Sequence, residues 1–290
     1  MNIYPSYKCN LQCDFCGLWK QEGKTIDLEW LKNQFSEHPD LAKDINVLGG
    51  EPSILPIEYQ NELVDICSRA TGEPPYYVTN LMQISPVLYR TKPIISYDFR
   101  LRKFNYKVKQ NLLKLNFPFA LSTILTNNLV SEVGAHYYLQ FINQLQQCYR
   151  ADLVIYYPER GASSKYIPNE DNLLAFVGEV IKNPKVCLAP LQQMLHIVPG
   201  SFEDMSDFFA LLPGNKYGVR LDYQNGPYAE FDTYEEAKEY YEEKIKTGLA
   251  SEPCKDCPYT QYCWYPVSDT VCHGEKKMMD LFYDYARKSV

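Results

Sequence analysis

Short apolar runs rich in β-branched and aromatic residues alternate with stretches of helical periodicity through the first half of the chain. Residues 2–6, 45–48, 76–79, 93–97, 117–123 and 152–157 read as strands. Residues 28–35, 58–70, 106–115 and 131–149 read as helices between them. Strand and helix alternating about six times predict parallel βαβ units, because each crossover must cover the sheet. Polar residues stand at or just past the expected strand ends: Glu51, Asn80, Asp98, Thr123 and Glu159. In barrel-like α/β folds that rim holds the chemistry, although loops after strands are polar in any fold.

After about residue 183 the pattern changes. Residues 195–198, 218–223 and 228–231 read as short strands, the last two joined around Gln224-Asn225-Gly226, a hairpin signal. A helix over 233–247 follows, with Asp232 and Glu235 spaced as a capping box and a Glu-rich face that reads as solvated. A compact cysteine region precedes a final helix over 276–287. The expected organisation is therefore a barrel-like unit over 1–183 and a smaller α+β unit over 184–290.

The chain has 290 residues, 46% of them hydrophobic and 22% charged, which is the composition of a folded core. Its formal net charge of −7 argues against a nucleic-acid partner. No apolar run reaches the roughly 18 residues of a membrane span, and Met1-Asn2-Ile3-Tyr4-Pro5 has no secretory character, so a cytoplasmic location is expected. Ten cysteines in such a compartment point to metal binding or chemistry before disulfides.

Cys9, Cys13 and Cys16 form Cys-x3-Cys-x2-Cys directly after the first expected strand. A 4Fe–4S cube takes four cysteines, so three leave one iron open to a non-protein ligand. Structural zinc is normally closed by a fourth Cys or His, and no His lies within about twenty residues of this loop.

This motif in the first βα loop resembles that of the radical S-adenosylmethionine (radical SAM) enzymes. The resemblance implies that the open iron chelates SAM and that Phe15, before the last cysteine, touches the adenine. Gly49-Gly50-Glu51-Pro52 after the second strand is similar to the family's GGEP motif, which implies a SAM-ammonium site: glycines allow close backbone approach, and a carboxylate suits an ammonium. Thr79-Asn80 resembles a Thr-Asn-Gly step with Leu81 in place of the glycine, and Ser96-Tyr97-Asp98 resembles a Ser-x-Asp step facing SAM or substrate. By the same analogy Ser96 and Arg102 are candidates for the SAM carboxylate and ribose. The resemblance covers residues 1–180 and implies an α/β partial (β/α)6 barrel.

Cys254-x2-Cys257-x5-Cys263, followed by Cys272, resembles the SPASM or twitch extensions of that family, which hold auxiliary clusters. Val267 and Ala229-Glu230 stand where a two-cluster SPASM pattern expects further cysteines, so a single auxiliary 4Fe–4S cluster on Cys254, Cys257, Cys263 and Cys272 fits the count, in a small twitch-like α+β domain. Cys187 is an alternative fourth ligand, and structural zinc is the alternative occupant. Cys67 and Cys148 read as buried small hydrophobes on helices, with hydrogen-atom donation to a substrate radical as the sharper reading, better suited to Cys187. Tyr156 and Tyr157 stand near the rim, with packing an equal reading.

The resemblance implies an enzyme in which one electron from the cluster splits SAM to methionine and a 5′-deoxyadenosyl radical, which takes hydrogen from the substrate. A ribosomally made peptide is the expected substrate. A small aminocyclitol, sugar or nucleoside is the alternative, and a non-catalytic iron–sulfur or zinc protein is the reading from another class. Flavodoxin or ferredoxin is the expected electron donor, with a separate peptide-recognition protein as a further partner.

Overall fold

The structure, a computed structural model, describes residues 1–18, 23–102, 104–156, 163–188, 209–219, 229–249, 255–259 and 276–289. Among the described residues its frame is a curled sheet of ten strands: β1 (Asn2–Ile3), β2 (Asn46–Val47), β3 (Tyr76–Thr79), β4 (Lys92–Ser96), β5 (Phe119–Leu125), β6 (Cys148–Ile155), β7 (Val186–Cys187), β8 (Phe209–Leu212), β9 (Lys216–Val219) and β10 (Ala229–Phe231). Their spatial order is β10-β9-β8-β1-β2-β3-β4-β5-β6-β7. From β8 through β7 every pairing is parallel, while β8–β9 and β9–β10 are antiparallel. The expected partial barrel is therefore present, with β8 laid in parallel beside β1 so that the later hairpins extend the same sheet.

Helices α1 (Leu28–Glu37), α2 (Ile57–Thr71), α3 (Asn105–Leu112), α4 (Gly134–Gln144) and α5 (Glu170–Val180) follow strands of the parallel sheet, and α6 (Tyr234–Leu249) and α7 (Lys276–Ser289) follow β10. Across the strands Ile3, Val47, Tyr77, Ile95, Leu121 and Ala151 are fully buried beneath the helices. They alternate with the half-exposed Asn2, Asn46, Tyr76, Ser96, Ser122 and Asp152 on the inner face. That two-residue alternation gives the sheet a packed side and an open side. On α2, Leu63, Val64, Ile66 and Cys67 seal the packed side. Each fully buried aliphatic side chain there contributes about 1.5–3 kcal/mol.

Several expectations shift. The helix expected over 131–149 is a π-helical turn over Asn128–Val133 followed by α4, and the strand begins at Cys148, which pairs with Phe119 across a register irregularity. Thr123 lies inside β5 and is buried, because the strand runs on to Leu125. The cap of α6 is one residue later than the spacing predicts: the Glu236 amide donates to Thr233 Oγ1 (3.3 Å) and the Thr233 amide to the Glu236 carboxylate (3.2 Å), a reciprocal box. α5, β7 and β8 lie outside the expected elements altogether. Cys67 and Cys148 are buried as expected, and burial pushes both thiols up. The strand expected at 195–198, the 224–226 turn, Tyr157, Glu159, Cys254, Cys263 and Cys272 lie outside the described residues.

Candidate functional site at the strand ends

The loop after β1 carries Cys9, Cys13 and Cys16, all half-buried, with a local turn closed by the Cys16 amide donating to the Cys13 carbonyl (3.1 Å). The Gly49–Pro52 loop after β2 lies directly against this segment. The Gly50 amide donates to Ser6 O (3.0 Å) and the Glu51 amide to Lys8 O (2.8 Å). A Cβ on residue 50 would stand 2.0 Å from Lys8 O and 2.5 Å from Tyr7 O, and Gly49 has φ +129°. Two glycines are thus required where the backbones meet. Gly50→Ala is expected to cost more than the ~1–3 kcal/mol of ordinary overpacking, since the obstructing atoms are backbone and cannot rotate away. Thermal unfolding, read beside iron uptake on reconstitution, checks this.

Glu51 is 1% exposed. Its carboxylate accepts from Thr79 Oγ1 (2.7 Å), from the Ser53 amide (3.1 Å) and from the Asn80 amide (2.6 Å), tying the end of β3 to the glycine loop. Asn80 is consequently aimed at the cysteine loop, where its Nδ2 donates to Asn10 Oδ1 (2.8 Å) and lies 3.9 Å from Cys9 Sγ. The next residue, Leu81, takes φ +55° and is fully buried. The left-handed conformation costs a leucine roughly 1–2 kcal/mol, whereas removing a buried leucine costs about 2–5 kcal/mol. Leu81→Gly is therefore expected to destabilise the fold despite relieving the backbone, as a lowered urea midpoint would show.

Asp98 and Arg102, after β4, form a buried ion pair with side chains 1% and 11% exposed. Arg102 Nε donates to Asp98 Oδ2 (2.8 Å), Nη2 lies 2.5 Å from the same oxygen, and the Ile124 amide donates to Asp98 Oδ1 (3.1 Å). The Arg102 guanidinium stands over the Phe15 ring at 5.7 Å, and Tyr166 meets that ring edge-on at 6.3 Å. Tyr156, whose hydroxyl donates to Ser163 O (2.9 Å), meets Tyr166 in turn. Burial pushes the Cys13 thiol up to about 11 against the opposing pull of Arg102, and burial raises Cys9 as well.

On the open face of the sheet Ser96 and Cys187, both singled out in the sequence, fall in one register row with Ser122 and Asp152, which sequence reasoning missed, across β4, β5, β6 and β7. All four are half-exposed, and burial together with the neighbouring Asp152 carboxylate pushes the Cys187 thiol up to about 11. Arg150 Nε braces that carboxylate from one layer deeper (2.9 and 3.1 Å).

The donor set at the cysteine loop fits a cluster better than a single ion. Among the described residues no three His, Cys, Asp or Glu side chains converge on one point. Thiols that each take a different iron of a cube have no need to converge, and thiolate is the ligand such clusters use. Asn80 lies beside Cys9, Arg102 beside Cys13 and over the Phe15 ring, while Ser96 belongs to the inner-face row. Of the second cysteine set the described residues include Cys257, which is half-buried, and the alternative Cys187 lies on β7.

No protein-family model matches this sequence, and no curated protein does. Solved structures do. Native anSMEcpe with bound AdoMet superposes with a TM-score of 0.71 at 15% identity, covering 99% of this chain and 96% of that one. Native anSMEcpe with bound AdoMet and Cp18Cys peptide gives 0.69 at 16%, covering 99% and 97%. Streptococcus suis SuiB bound to S-adenosylmethionine gives 0.62 at 15%, covering 94% and 76%. This chain therefore shares the partial-barrel fold of these AdoMet-bound structures.

Proposed function

We propose that this chain is a radical SAM enzyme that acts on a peptide. The observation that carries the reading is the close backbone contact between the three-cysteine loop and the Gly49–Pro52 loop, with Asn80, Phe15 and Arg102 gathered around it. Cys9, Cys13 and Cys16 would hold a 4Fe–4S cluster and leave one iron for SAM. A cluster held there would supply the one electron that splits SAM into methionine and a 5′-deoxyadenosyl radical able to take hydrogen from substrate.

The chain's own residues prepare the site. Arg102, fixed by Asp98, places a positive charge beside Cys13 and favours its thiolate form. Asn80 holds Asn10, and through it the backbone at Cys9. Phe15, Tyr166 and Tyr156 form an aromatic wall that keeps water from the rim. Gly49, Gly50 and Glu51 would border the position proposed for the SAM ammonium, with the Glu51 carboxylate held by Ser53, Thr79 and Asn80. Ser96, Ser122, Asp152 and Cys187 offer a polar floor for the substrate on the open side of the sheet.

The peptide substrate is supported by the likeness to anSMEcpe, which was solved with a peptide bound. A single auxiliary 4Fe–4S cluster on Cys254, Cys257, Cys263 and Cys272 completes the reading, with the 184–290 region as its domain. Anaerobic reconstitution with iron and sulfide, then dithionite and SAM, tests it. The expected result is 5′-deoxyadenosine detected by mass spectrometry and about eight irons per chain, or about four if the second set is empty. A fully reconstituted protein that neither binds nor cleaves SAM would overturn the assignment.

A further inference from the structure

The chain is acidic overall, with 36 Asp and Glu against 29 Lys and Arg, yet its charges are not evenly spread. After Asp98 come Arg100, Arg102, Lys103, Lys107, Lys109 and Lys114, and the next carboxylate in the sequence is Glu132. This basic stretch contains α3, whose buried side is Val108, Asn111 and Leu112. The opposite side presents Tyr106, Lys107 and Gln110, and the stripe runs on at helical spacing through Leu113 and Lys114 in the turn that closes the helix. Tyr106 is 75% exposed and Leu113 64%, with Phe104 at the head of the helix and Tyr137 of α4 also exposed. Lys109 leans over the Phe141 ring of α4 (5.7 Å), and Arg100 meets Glu132 (3.8 Å), the carboxylate that closes the patch on that side.

This stripe is joined to the site. Arg102, which contacts Phe15 and Asp98, lies two residues before Phe104, and α3 is about 12 Å long at about 1.5 Å per residue. Exposed aromatic residues with positive charge around them are the make-up of a protein-docking surface. Positive charge on an otherwise negative molecule steers an acidic partner to one orientation.

We infer that the exposed face of α3, with Phe104 and Tyr137, is the docking surface for an acidic one-electron carrier protein. The inference rests on the function proposed above, which consumes one electron at the cysteine loop. One electron leaves the reduced carrier and enters the cluster held by Cys9, Cys13 and Cys16; no bond or proton is exchanged at the surface. Lys107 and Lys114 provide the steering charge, Tyr106 and Leu113 the apolar contact.

The test compares the wild type with Lys107→Glu/Lys114→Glu and with the charge-preserving Lys107→Arg/Lys114→Arg, using flavodoxin as the acidic carrier. Binding of fluorescently labelled flavodoxin is read by anisotropy, which needs no cluster. Reduction is read as 5′-deoxyadenosine formed with reduced flavodoxin and, separately, with dithionite. The charge-reversed protein is expected to lose about tenfold or more in flavodoxin affinity and flavodoxin-driven rate at low salt, and to keep its dithionite-driven rate. Wild-type affinity should fall as salt shortens the ~10 Å screening length, and the arginine variant should behave as wild type. Unchanged flavodoxin affinity after charge reversal overturns the inference, as does a wild type that prefers a single-stranded RNA oligonucleotide over flavodoxin at this face. A wild type inactive with dithionite fails the proposed function instead, and the anisotropy measurement still decides the surface.

Discussion

Cys13→Ala is expected to reduce 5′-deoxyadenosine formation to the level of a protein-free control, while the protein stays folded. Cys13 is half-buried on a loop outside the core, so removing its sulfur leaves the packing of the sheet untouched. What it removes is one of three thiolates for a cluster that already has one open iron, and two protein ligands do not retain a cube. Reconstituted iron should drop by the content of one cluster, measured by iron analysis together with the charge-transfer absorbance. Cys67→Ala is the matching control. Cys67 is fully buried on α2, so its loss lowers stability and leaves cleavage per folded molecule unchanged. A Cys13→Ala protein that retains SAM cleavage would sink the assignment of this loop.

Glu51 carries the second large effect, and the structure changes what its mutation reports. Glu51→Ala leaves the Ser53 amide, the Asn80 amide and the Thr79 hydroxyl facing a buried space without their acceptor. Each buried unsatisfied donor costs about 1–3 kcal/mol, which together is a large part of the roughly 5–15 kcal/mol that holds a domain folded. The alanine variant is therefore expected to lose activity through stability, and by itself does not test a SAM contact. Glu51→Gln is the informative change. It keeps the side chain's length and one acceptor oxygen, which can serve the Ser53 amide and Thr79 hydroxyl while the Asn80 amide loses its acceptor, at an expected cost of about 1–3 kcal/mol. If the carboxylate also meets the SAM ammonium, Glu51→Gln weakens SAM binding at urea concentrations where it is fully folded. A SAM Kd equal to wild type in that protein would leave Glu51 as a tie between β2 and β3 with no ligand of its own.

Much of the site was legible because its chemistry is written in closely spaced residues. Cys9, Cys13 and Cys16 need only a loop to act together, and Gly49-Gly50 stood out as glycines that permit a close approach, expected toward SAM and found in the structure toward the Lys8 and Tyr7 carbonyls. Even the departure at Leu81 was readable as a position where glycine is expected, and there the leucine does take positive φ. α5 was also legible and was missed: Leu173, Phe176, Val177 and Val180 are spaced as one buried helical face behind the Asn169 cap. β8 gave no such signal. Phe209, Ala210, Leu211 and Leu212 are all buried, so the run lacks the alternation that marks a half-buried strand. The helix expected over 131–149 ran too far because Leu145 and Cys148 continue its apolar spacing, while pairing with β5 draws Cys148 into the sheet.

The order of strands and helices from β1 to β6, the three-cysteine loop, the glycine loop and the acidic balance of the chain follow from the sequence alone, since each depends on neighbours a few residues apart. Tertiary structure alone decided that Glu51 spends its carboxylate on β3, that Asp98 answers Arg102, and that Ser96, Ser122, Asp152 and Cys187 share one row. Asp98 and Arg102 close within one loop, whereas the members of that row are up to about ninety positions apart and meet through strand register, which a single residue's slip would turn to the opposite face. Register is set by which apolar faces pack beneath the helices, a property of the whole sheet that no local stretch of sequence carries.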